Sequence, residues 1–170
     1  MSTDGRARAV ATLLVVGLLW STAGALIKYV PWPPAAIWGL RSLIAAVALI
    51  AIYRPSWRGL TRTEWLSALA LAATTGLFVL ANKWTTAANA IILQYTSPIW
   101  VFLLAPILVG ERPRRTEGTV LLLAMVGVAI IFFGGAGSDR AGLVIALISG
   151  LGYGTLTVIL RRTREVAPAF

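Results

Sequence analysis

Asn89, Gln94, Tyr95, Thr96 and Ser97 crowd around Pro98 inside a run, 87–110, that is otherwise apolar. Proline has no N–H, so in a helix Pro98 leaves the carbonyl of Gln94 without its usual partner. A freed carbonyl in apolar surroundings must be met by water, by side chains or by a neighbouring helix. Two arrangements meet that need: the wall of a hydrated cavity, or a kinked helix whose polar groups bond only to adjacent helices. Four or five polar groups exceed what a kink requires, which favours the cavity. Such groups hold or pass a polar solute; they do not make or break covalent bonds.

Other residues could join them. Arg41 is the one full charge inside an apolar run, six residues into 35–53 and so roughly 9 Å along a helix at ~1.5 Å per residue. It either snorkels to a membrane surface or turns inward to bond freed carbonyls or an anionic ligand group. Lys28 and Lys83 end two runs, as interface anchors that would also give a nearby cavity a positive bias. Trp20, Asn82 and Tyr153 complete the candidate cavity set of Trp20, Arg41, Asn82, Asn89, Gln94, Tyr95, Ser97, Pro98 and Tyr153. Covalent chemistry finds little here. Cysteine and histidine are absent, which removes disulfides, Cys/His metal sites and a histidine base. The six acids, Asp4, Glu64, Glu111, Glu117, Asp139 and Glu165, all lie outside the apolar runs, so no carboxylate pair is available at depth. No catalytic residue, metal ligand or cofactor is expected.

The elements that position these residues are six apolar runs, 9–27, 35–53, 65–82, 87–110, 118–135 and 141–160. Each is long enough for a helix to cross the ~30 Å hydrocarbon core of a bilayer. Of the fifteen Lys and Arg, eleven fall in alternate segments: Arg6, Arg8; Arg54, Arg58, Arg62; Arg112, Arg114, Arg115; Arg161, Arg162, Arg164. The other segments hold Lys28, Lys83 and Arg140. The positive-inside rule reads this split as six crossings with both termini in the cytoplasm. With 58% apolar residues, the chain has too little polar surface for a water-soluble globule of 170 residues. The net charge of +9 sits in the cytoplasmic loops, facing anionic lipid rather than nucleic acid. Thirteen Arg against two Lys suits a GC-rich bacterium, for which the membrane would be the plasma (inner) membrane. The first run is too long for the apolar segment of a cleaved signal peptide, about 7–15 residues.

Trp32, Trp38 and Trp84 at outer ends and Trp57 and Trp65 at inner ends form an aromatic belt. Pro31-Trp32-Pro33-Pro34 makes a tight outer link, Arg54-Pro55-Ser56-Trp57 ends the second span, and Gly134, Gly135, Gly137 and Ser138 loosen the link before the last. Small residues recur four apart in the first span (Gly17, Ser21, Ala25) and the last (Ala146, Gly150, Gly154), the pattern that lets helix backbones approach in lipid. A shift of 133 residues lays the first span over the last, matching Leu14, Gly17 and Thr22 to Leu147, Gly150 and Thr155, Trp20 to Tyr153, and Lys28 to Arg161. Five spans would then form one repeat and the sixth would open a second, inverted copy.

The stretch from Asn82 through Pro98 to Gly110-Glu111-Arg112-Pro113 resembles the EamA domain of the drug/metabolite transporter superfamily. Gly17-Leu18-Leu19-Trp20-Ser21, Leu40-Arg41-Ser42-Leu43 and Ser149-Gly150-Leu151-Gly152-Tyr153-Gly154 are similar to that family as well. The resemblance implies an all-α polytopic membrane bundle of two inverted five-helix repeats around a substrate cavity. It implies export of small metabolites, amino acids or drugs without a prosthetic group, and it places Trp20, Arg41, Asn89, Pro98 and Glu111 on recurrent positions. The organisation expected here is a cytoplasmic tail 1–8, a five-helix repeat 9–135, the first helix of a second repeat 141–160, and a cytoplasmic tail 161–170. The small-residue face of that last helix would then await partners from four further spans, in a protein of about 290–300 residues. The alternative is a short protein that pairs with a second copy or a partner chain. A non-transporting membrane scaffold or assembly subunit is the competing function, as is an inactive piece of a transporter. The family's four-span members carry a first-span glutamate for proton exchange; this first span has no acid.

Overall fold

A computed structural model describes residues 3–54, 60–110, 115–134 and 139–166. The described residues form helices α1 (Thr3–Tyr29), α2 (Pro34–Tyr53), α3 (Arg62–Trp84), α4 (Ala87–Gln94), α5 (Ser97–Leu108), α6 (Arg115–Gly134) and α7 (Arg140–Val166), with no strand among them. Five stretches are long and apolar enough to cross a membrane: Gly5–Tyr29, Pro34–Tyr53, Arg62–Trp84, Ala87–Leu108 and Arg140–Arg161; Gly118–Gly134 is a shorter sixth. The chain is an all-α membrane helix bundle. Trp57, the Glu111-Arg112-Pro113 part of the turn and the 135–138 link lie outside the described residues.

Local chemistry sets the helix ends. Pro34 starts α2 at a position where a missing N–H costs nothing. Arg54 closes α2 in the left-handed region, φ 43°, donating its N–H to Ile50 O at 2.9 Å. A reciprocal cap opens α3: Glu64 N donates to Thr61 Oγ1 (3.3 Å) and Thr61 N donates to Glu64 Oε2 (2.6 Å). Thr86 caps α4 by accepting from Asn89 N at 3.1 Å. Beyond α5, Gly110 adopts φ +78° and donates its N–H to Ala105 O at 3.1 Å, a conformation that favours glycine.

The fourth apolar run divides. Pro98 does not kink the interior of one helix; it occupies the first turn of a new one, α5, where proline is tolerated. The two pieces meet through a tight turn in which Thr96 N donates to Leu93 O (3.1 Å) and Ile99 N donates to Thr96 O (2.8 Å).

α7 is the centre of the bundle, packed against α3, α4 and α5. It runs alongside α4 and α5 and antiparallel to α3: Gly142 meets Trp84 and Thr85, and Gly154 meets Ser97 and Trp100. Gly142, Ala146, Gly150 and Gly154 form a buried stripe, and the nearby core is Ala81, Ala90, Leu93, Leu143 and Ala146. The stripe is therefore occupied. The expectation that this face waits for four further spans is corrected by its contacts with α3, α4 and α5. Lipid supplies no hydrophobic drive between helices, so close backbone approach along small residues is what holds α7 there.

The corresponding stripe on α1 is in the opposite state. A side-chain carbon on Gly17 would meet nothing within 4 Å, and Ala25 is exposed. Among the described residues of α1 only Gly24 and Ile27, near its C-terminal end, are buried. α2 leans on α3 alone among its substantial contacts, through Trp38 Nε1, which donates to Thr75 Oγ1 at 3.1 Å.

Candidate functional site

The break between α4 and α5 is the polar centre of the bundle. Glycine on α7 lets the backbones touch there: a Cβ on Gly150 would lie 3.0 Å from Leu93 O and 3.1 Å from Gln94 O. The Gln94 carbonyl that Pro98 frees thus faces the glycine face of α7. From the same turn, Gln94 Nε2 donates to Ser149 Oγ on α7 at 2.9 Å, and Ser149 Oγ donates to Thr74 O on α3 at 3.0 Å. This relay ties three helices at one level. Thr96 Oγ1 closes locally onto Leu93 O at 2.8 Å.

Three side chains keep buried polar atoms unpaired among the described residues: Thr74 Oγ1 and Trp100 Nε1 near the relay, and, two turns along α3 from Thr74, both the Oδ1 and Nδ2 of Asn82. An unpaired buried amide is costly in a protein interior and more so at membrane depth. Asn82 lies at the junction of α1, α3 and α4: a Cβ on Gly24 would lie 3.4 Å from Asn82 Nδ2 and 3.1 Å from Ile91 Cδ1. Asn89, one helix away on α4, reaches Thr85 Oγ1 with Nδ2 at 3.5 Å.

The C-terminal ends of α1 and α3 are cross-linked by their own last-turn lysines. Lys28 Nζ on α1 donates to Asn82 O (3.2 Å), Lys83 O (3.3 Å) and Thr85 O (2.7 Å). Lys83 Nζ on α3 donates to Val30 O. The last carbonyls of a helix have no partner within it, and a cation placed there also meets the negative end of the helix dipole. These contacts draw both cations credited with a positive bias onto backbone oxygens; Arg41 is exposed on α2.

The candidate residues thus separate into groups. Gln94 and Ser97 stand at the α4–α5 break, with Ser97 buried and Gln94 half-buried; Pro98 is exposed in the first turn of α5. Asn82 lies in the last turn of α3 and Asn89 in the first turn of α4, and Tyr153 is half-buried on α7. Trp20 and Tyr95 are 59% and 64% exposed, and with Arg41 they face away from the relay's buried atoms. Ser149, Thr74 and Trp100 were not in the candidate set. Their signal was available: a hydroxyl or indole inside an apolar run needs a partner, as Gln94 does. An open depression along α1, lined by Arg6, Ala7, Val10, Ala11 and Leu14, brings no such polar groups together. Among the described residues no three Asp, Glu, His or Cys come together as a metal site would need. The arrangement offers neutral hydrogen-bond donors and acceptors, suited to a polar solute or to water.

Comparison with curated proteins and with solved structures returns no match. A family model does match, over residues 7–133, described as the EamA-like transporter family. That range runs from the start of α1 through nearly all of α6 and contains the α4–α5 break. Spanning well over half of the chain, it identifies what six apolar helices and a polar mid-span break belong to: this protein is a member of the EamA-like transporter family.

Proposed function

We propose that the chain acts in secondary transport of small metabolites, amino acids or drugs across a cell membrane, in the export direction, with both termini cytoplasmic and no enzymatic activity. The observation that carries this reading is the polar level at the α4–α5 break: the relay Gln94–Ser149–Thr74, with Thr74 and Trp100 holding unpaired polar atoms inside an apolar bundle and Asn82 doing the same two turns along α3. Maintaining such groups at membrane depth is unfavourable unless a solute or water meets them during function. In this reading Asn82, Asn89, Gln94 and Ser97 line the solute path, and Trp20, Arg41, Tyr95, Pro98 and Tyr153 belong to it when α1 and α2 close against a second repeat or a second copy. The open Gly17 face of α1 supports a further packing partner of that kind.

A second reading has its own support. α7 is packed so closely against the break that the same polar groups would serve a scaffold subunit whose helices only pack. Cysteine accessibility separates the two, because the native chain has no cysteine. Cysteine at Asn89, Gln94 or Ser97 is expected to react with water-soluble thiol reagents in the membrane, and proteoliposomes are expected to move substrate. Protection of all three sites, with no transport from a panel of amino acids, metabolites and drugs, would leave the scaffold reading.

A further inference from the structure

α1 is attached to the bundle at one end. Its described residues from Gly5 to Thr22 are almost all exposed, and burial begins only at Gly24 and Ile27. At that end Ile27 is buried and Gly24 lies against Ile91, and beyond them the contacts are polar. Lys28 uses all three ammonium hydrogens on Asn82 O, Lys83 O and Thr85 O, and Lys83 returns the contact to Val30 O. Each helix is capped by the lysine of the other. No carboxylate takes part in these contacts. Ammonium–carbonyl contacts at a membrane surface can be replaced by water when they break, so the caps can open and reclose, while each charge-assisted bond still favours the closed state.

Directly beneath lies Asn82, fully buried with both amide atoms unpaired among the described residues. It is covered by Gly24, which sits one turn before Lys28 on the same face of α1. The lysines and the amide are therefore parts of one device: moving the end of α1 breaks the caps and uncovers Asn82 in the same step.

We propose that the outer ends of α1 and α3 form a gate, latched by Lys28 and Lys83, and that Asn82 is the hydrogen-bonding contact it covers for a polar solute entering or leaving on the outer side. The proposal rests on the transporter reading, but its test does not require transport. Gly24 belongs to the gate because it brings α1 close over Asn82 and Ile91: a Cβ there would lie 3.4 Å from Asn82 Nδ2 and 3.1 Å from Ile91 Cδ1, so a larger side chain would have to push them aside. The solute class is one with a neutral amide, hydroxyl or similar group able to satisfy both a donor and an acceptor, since Asn82 presents one of each kind.

The test uses the full chain in intact cells and a membrane-impermeant maleimide applied outside. Asn82→Cys is labelled in the native-lysine background and with Lys28→Met and Lys83→Met together; Leu93→Cys, fully buried in the core, is labelled in parallel. The Asn82→Cys rate is expected to rise about a hundredfold or more without the lysines, the order implied by losing one charge-assisted hydrogen bond from each, while Leu93→Cys stays protected. An unchanged Asn82→Cys rate overturns the gate. So does labelling of Leu93→Cys alongside it, because the lysines would then hold the whole bundle rather than one helix end. Lysine-dependent labelling without any transport would keep the gate and sink the transporter reading alone.

Discussion

Replacing Gly154 by alanine should separate the packed glycine stripe of α7 from the open one of α1. A Cβ at Gly154 would stand 2.6 Å from Trp100 Cβ and 2.9 Å from Ser97 O. Carbon atoms in contact prefer about 3.5–4.0 Å, so the approach is short by about 1 Å. Trp100 cannot yield by rotating, because its Cβ is fixed to the backbone. α7 and α5 must part, and a gap of about 0.5–1 Å forfeits a quarter to a half of each contact along the seam. Overpacking of this kind costs about 1–3 kcal/mol. Alanine also raises helix propensity by about 1 kcal/mol, an effect shared by the control Gly17→Ala, whose new methyl meets nothing within 4 Å. The propensity gain cancels between the two variants, leaving a difference of about 1–3 kcal/mol. For a chain of this size that is a gap in melting temperature of about 2–12 °C, followed by circular dichroism in detergent micelles. Gly17→Ala should melt at or above the parent, Gly154→Ala below it. Melting of both variants within about 1 °C of each other would refute the packed-stripe account of α7.

Ser149→Ala removes the relay's middle hydroxyl, leaving Gln94 Nε2 without its 2.9 Å acceptor and Thr74 O without its interhelical donor. Interhelical hydrogen bonds in membranes average about 0.6 kcal/mol and reach about 1.7, so a loss of about 1–3 kcal/mol is expected. Thr155→Ala, whose hydroxyl bonds only Leu151 O in its own helix, should be close to neutral in the same melting assay. Trp38→Phe keeps a ring over Gly76 but loses the 3.1 Å bond to Thr75, so hydrogen exchange should quicken across α2 and not across α7. Arg54→Gly relieves a left-handed non-glycine residue and should raise the melting temperature, by an amount corresponding to up to about 1 kcal/mol.

Much of the architecture was legible in the chain because its causes are local. Apolar length marked the spans, and Pro31-Trp32-Pro33-Pro34 marked the start of α2. Pro98 marked an interruption in the fourth span; that it starts a helix instead of bending one followed from Thr96 and Leu93 closing a tight turn behind it. Lys28 and Lys83 read correctly as residues at span ends, but their partners did not. Lys28 bonds carbonyls 54 to 57 positions away, and no periodicity within a span records such a distance.

The two small-residue stripes show where sequence stops and tertiary structure decides. Gly17 and Gly150 coincide under the 133-residue shift, each on an apolar helix with small residues four apart. By itself the sequence determined that both helices can admit a close neighbour. Only the bundle decided that Gly150 lies against the backbone of α4 while Gly17 touches nothing within 4 Å. The reason is physical: in lipid, apolar faces are equally content against acyl chains or helices, so composition fixes which surfaces may pack. Which of them do pack is set by where a neighbouring helix has carbonyls and hydroxyls in need of a close partner, and the α4–α5 break supplies those to α7.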